Sequence, residues 1–137
     1  MSYAMASALQ AAVYQRLRDD PDLGALVGDA IFDAAPEGEL PELYVTLGTE
    51  TVRDRSDAVG TGAEHRFTVS VISAAAGFGV AKDVAGAVSD ALSDARPTLS
   101  RGRVIGLWFE RAQARRTGTA GRTRQIDLRF RARLEDN

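Results

Sequence analysis

The chain has 137 residues, of which 45% are hydrophobic and 26% charged, which is ordinary globular composition and enough for one domain, residues 1–137, with its own core. It contains no cysteine, which excludes disulfides, thiolate nucleophiles and thiolate metal sites. The net charge of −2 conceals a division: residues 1–95 carry 6 Lys/Arg against 15 Asp/Glu, a net −9, and residues 96–137 carry 11 Arg against 4 Asp/Glu, a net +7.

Residues 1–7 lack the basic region and apolar run of a secretory signal, and no apolar stretch is long enough to span a bilayer. A first helix is expected with Ser2 or Ser7 as cap and a stripe of Met5, Leu9, Ala12, Val13, Arg16 and Leu17. Asp20-Pro21-Asp22 then opens a second, single-turn helix: Asp20 as cap, Pro21 at the first helical position, Asp22 complementing the dipole, with Gly28 ending it. Residues 30–33 read as a short strand and residues 36–41 as a rigid acidic loop. Residues 43–52 read as a strand with Leu43, Val45 and Leu47 inward, and Gly48 marks a bulge or a close approach. Residues 53–62 have no apolar period and read as a long, mobile interaction loop.

Residues 65–73 alternate, Phe67, Val69 and Val71 against Arg66, Thr68 and Ser70, as in a strand with one buried side. After a small-residue turn, Phe78, Ala81, Val84, Val88, Ala91 and Leu92 recur at helical spacing. Arg96-Pro97 is a stop signal. Residues 104–114 read as a strand with Ile105, Leu107 and Phe109 inward and Trp108 and Glu110 outward. Residues 115–121 are the turn. Residues 122–134 are the clearest strand, Ile126, Leu128, Phe130, Ala132 and Leu134 alternating with charged residues. The fold class expected is α+β: a mostly antiparallel sheet of four to five strands with two main helices packed on one face.

Residue chemistry argues against catalysis. His65 is the single histidine and reads as a polar residue at a strand start; without cysteine or a second histidine a zinc site is disfavoured. Gly77-Phe78-Gly79 lacks the third glycine of a dinucleotide fingerprint, and Phe78 and Val80 read as core anchors. No nucleophile elbow is present, and Glu37 and Glu39 have nothing to desolvate them. No catalytic residue, cofactor site or metal site is assigned. The interaction candidates are Arg53, Asp54, Arg55 and Asp57 in the first long loop and Arg115, Arg116 and Arg122 around the second. Trp108, Arg129, Arg131 and Arg133 join them on the open sheet face, where tryptophan beside arginine is interface composition. Pairing of Arg129 or Arg131 with Glu110 across strands is the preferred alternative to phosphate binding.

The order of short segments carries a resemblance. Residues 8–14 (ALQAAVY) lead through 26–28 (LVG) to 31–36 (IFDAAP). Residues 41–48 (PELYVTLG), 62–66 (GAEHR), 76–78 (AGF), 121–124 (GRTR) and 128–131 (LRFR) follow. This is similar to the tail completion, or tail terminator, proteins of long-tailed phages, prophages and gene transfer agents. The resemblance implies a structural protein without catalytic residues. It implies a homo-hexameric ring on the head-proximal end of the tail tube, which halts tube polymerisation and docks the head connector or stopper. DNA only passes through its lumen. It also implies assembly in the bacterial cytoplasm and residence in a phage-like particle. A non-ring neck adaptor and a nucleic-acid-binding protein using the C-terminal arginines are the alternative readings. On the ring reading, Arg129, Arg131 and Arg133 are expected to be neutralised by acidic groups and kept off the lumen, since a basic wall would hold DNA phosphates.

Overall fold

A computed structural model describes residues 3–34, 37–56 and 60–136. The elements in order are α1 (Ala6–Asp19), α2 (Pro21–Val27), β1 (Ile31–Phe32), β2 (Leu43–Asp54), β3 (Gly62–Ser73), α3 (Gly79–Leu92), β4 (Arg103–Thr117) and β5 (Thr123–Glu135). The five strands form one sheet in the order β1-β2-β3-β5-β4. All neighbours are antiparallel except β1, which lies parallel to β2 through Ile31–Val45 and Phe32–Thr46. The sheet is therefore mixed and mostly antiparallel, an α+β architecture as expected.

The helices lie on one face because their apolar stripes need it. Met5, Leu9, Val13 and Leu17 repeat every fourth residue and are fully buried. Val84, Val88 and Leu92 do the same on α3 and meet Val69, Val71, Leu128 and Phe130 of the central strands in one apolar cluster. Each such side chain contributes about 1.5–3 kcal/mol relative to exposure. Asp20 accepts the Leu23 N–H at 2.9 Å, Pro21 opens α2, and Gly28 ends it at φ +61°. α1 has no side-chain cap: Met5 precedes it and Ser7 lies inside it, while Ser2 is outside the described residues. Arg16 reaches out of the stripe to donate to the Ala91 carbonyl at 3.0 Å, which ties α1 to α3.

Several expectations need correction. Both long loops are shorter than read, because β2 runs on to Asp54, β3 starts at Gly62, and β4 runs on to Thr117. Arg53, Asp54, Arg115 and Arg116 are thus strand residues; polar side chains on a two-sided edge do not interrupt backbone pairing. On β4, bulges at Ile105 and Glu110 reset the alternation. Val104 and Leu107 take the buried positions, while Phe109 is 45% exposed. Val80 is also exposed, whereas Phe78 packs on the core. His65 is fully buried on the helix-covered face, where it shares a side with Phe67 and Val69. It is held there by Glu50, whose Oε2 lies 3.2 Å from Nδ1.

Candidate interaction surfaces

The face of the sheet away from the helices carries the polar set: Glu64, Arg66, Thr68 and Ser70 of β3, then Asp127, Arg129, Arg131 and Arg133 of β5. Strand pairing puts Arg66 beside Arg131 and Arg131 beside Trp108. Two adjacent cations need counter-charge or a π face, and both are present. Arg66 Nε donates to the two Glu110 oxygens at 3.1 and 3.0 Å, and its Nη1 donates to Glu64 Oε1 at 2.6 Å. Glu110 holds the Arg66 guanidinium most strongly and raises its pKa. Arg131 stacks over the Trp108 ring at 4.7 Å, with its Nη1 3.8 Å from Glu64. The buried Glu64 thereby serves Arg66, Arg131 and, at 3.8 Å, Arg55. Trp108 in turn lies over Gly106, where a Cβ would stand 2.3 Å from the ring.

The expected pairing of Arg129 or Arg131 with Glu110 is not what forms. The bulge turns Glu110 toward Arg66, and Trp108 occupies the position opposite Arg131. Arg133 Nη2 donates to the Arg55 carbonyl at 2.8 Å. The expected neutralisation of the row therefore holds for Arg131 alone, because Arg133 meets a carbonyl. Among the described residues the Arg129 side chain has no hydrogen bond or ion pair. It lines, with Thr49, Thr68, Arg111, Gln113 and Asp127, a concavity of about 360 Å³. Asp127 accepts from Ser70 at 2.6 Å, Gln125 at 2.8 Å, and Arg115 at 3.1 and 3.2 Å. Burial pushes this carboxyl up, but the hydrogen bonds from Gln125, Ser70 and Arg115 outweigh it and the pKa is lowered.

At the far end of the β2–β3 hairpin, Asp54 accepts from the Ser56 hydroxyl at 2.7 Å and the Ser56 N–H at 3.1 Å, which lowers its pKa. Arg53 is exposed on β2, and Asp57 lies outside the described residues. At the β4–β5 turn Arg116 and Arg122 are exposed. Arg124, by contrast, is buried: it donates to the Gly121 carbonyl at 2.9 Å and the Ala76 carbonyl at 2.6 Å, which binds the turn before α3 to β5. The structure thus joins Trp108 and Arg131 directly, links Arg133 to Arg55, and leaves Arg53, Arg116 and Arg122 apart. Sequence reading placed Arg66 on the polar face without giving it a role, and passed over Glu64 and Arg111 as site residues. The consecutive charges Glu110-Arg111 inside an otherwise alternating strand were the available signal, since they announce a bulge.

No group of three or more histidine or acidic residues that could hold a metal ion is found among the described residues. The family model of the tail completion protein gp17 matches residues 11–135. The chain belongs to the tail completion protein gp17 family. This tail completion fold is also similar to a chain of the solved structure described as "Virion of native gene transfer agent (GTA) particle". The two are 60% identical, with a TM-score of 0.92, over 98% of this chain and 99% of that one. No curated protein matches the chain.

Proposed function

We propose that this protein is a non-catalytic, single-domain structural component of a phage-like gene transfer particle. It closes a homo-hexameric ring on the head-proximal end of the tail tube, stops tube polymerisation, and presents a docking surface to the head connector. DNA passes through the ring, assembly takes place in the bacterial cytoplasm, and the Arg129-Arg131-Arg133 row stays off the lumen. The observation that carries this reading is the 60% identity, across nearly the full length of both chains, to a chain within a gene transfer agent virion. Family membership supports a role in tail completion, and opposite charge in the two parts of the chain is consistent with head-to-tail contact.

The test is deletion of the gene in the producing cell followed by electron microscopy. Tails of uncontrolled length, detached from heads, are the expected result. Particles of normal length and attachment would overturn it.

A further inference from the structure

The sheet has two unlike edges, and their difference is confined to one end. On one side, residues 37–42 lead into β2 and carry the exposed Glu37, Glu39 and Glu42, with Leu40 at 41% exposure. The loop is anchored where the Glu42 backbone carbonyl accepts the Ala74 N–H at 2.8 Å. On the other side, β4 pairs only with β5, so its outer backbone edge is unpaired within the sheet. Its second half is exposed, and Phe109, Ala112 and Ala114 share the side of Phe130, Leu128 and Ile126, where no helix covers them. That strip ends at Arg116, with Arg122 in the turn beyond.

The register puts both features at the same height. Leu43 pairs with Ser73, Ser73 with Arg124, and Arg124 with Arg116. One transverse row thus runs from the acidic loop to the basic edge. The opposite end of the sheet is balanced: Arg101 meets Asp136 at 2.9 Å and Arg103 meets Glu135 at 2.6 Å.

We infer that residues 37–42 of one copy seat on the outer edge of β4 of the next copy, Leu40 against Ala112 and Ala114, and Glu39 and Glu42 against Arg116 and Arg122. The inference rests on the ring reading and names its subunit contact. It joins two different patches, the class of contact that closes a ring rather than a two-fold dimer. It also covers a long edge strand that would otherwise template uncontrolled pairing. Duplex DNA is a poorer occupant, because the basic edge is interleaved with apolar side chains.

The chain has no cysteine, so cross-links report without background. Leu40→Cys with Ala114→Cys in one chain, oxidised in purified particles, should give a ladder of covalent oligomers, and each single variant should give none. In parallel, Glu39→Arg with Glu42→Arg, or Arg116→Glu with Arg122→Glu, should lower particle yield about tenfold or more. All four reversals in one chain should restore it, and thermal melts of the free variants should be unchanged. Incorporated double variant without cross-links overturns this contact, and a ladder ending at two overturns the head-to-tail arrangement. Reversals that spare assembly but weaken duplex DNA binding assign the edge to nucleic acid instead. A mass measurement of the neck ring reports the ring reading separately: a closed ring without cross-links sinks only the contact, and a single copy sinks both.

Discussion

Asp127 shows how one side chain can hold a sheet face together. It joins β3 and β4 to β5 through Ser70, Arg115 and Gln125, and the result is a lowered pKa. Asp54 and Asp136 are lowered as well, by Ser56 and Arg101 respectively. A carboxyl depressed below its unfolded value of about 3.9 contributes its stability in full above that value and loses it as pH falls through the folded value. Melting temperature should therefore fall as pH drops from about 5 toward 2. Asp127→Asn should flatten that slope, and calorimetry across this range checks both. Trp108 offers a second residue-scale probe, since it is the chain's single tryptophan. Gly106→Ala would place a methyl 2.3 Å from the ring. The ring must then leave Arg131, so the emission maximum should shift to the red. An unchanged spectrum would mean that the stack does not hold the ring.

At the scale of elements, β4 is split by its bulges into a buried beginning and an exposed remainder. Phe130 on the adjacent strand is fully buried and packs against Phe67 at 5.6 Å and Phe109 at 5.9 Å. Phe130→Ala should cost about 3–5 kcal/mol, and the half-exposed Phe109→Ala about 1 kcal/mol or less. Chemical denaturation of the two variants distinguishes a core strand from an edge strand. α2 depends on its cap, so Asp20→Ala should cost about 0.5–2 kcal/mol in the same measurement. Most of this level was legible in the residues: the Asp20-Pro21 start, the α3 stripe and the alternation of β5 all stand as read. The ends of β2 and β4 were not, because polar residues on a solvent-facing edge lack the periodic signal that marks a half-buried strand.

At the scale of the whole molecule, the charge division follows the topology. The arginine-rich segment forms β4 and β5 at one side of the sheet, and the acidic segment supplies the helices and the β1–β2 side. Contacts between copies built on these charges should weaken as salt rises, because the screening length shrinks from about 8 Å at 0.15 M to about 3 Å at 1 M. The apolar core is not screened in this way. On the proposed ring reading, raising salt should therefore dissociate the assembled copies while circular dichroism of the subunit stays constant. Loss of both together would place the charges within the fold instead.

By itself the sequence determined the helices, the existence of the strands and the bounds of β5 to within a residue, the buried sides of β3 and β5, and the absence of thiol chemistry. These depend on spacing between near neighbours, which local periodicity records. The tertiary structure decided that β5 lies between β3 and β4, that β1 runs parallel to β2, that His65 is buried, and which carboxylate each arginine meets. Those outcomes depend on register between distant strands and on bulges that re-aim single side chains. A one-residue slip would exchange the two faces of the sheet, so no reading of isolated segments can supply the partners of Glu64, Glu110 and Trp108.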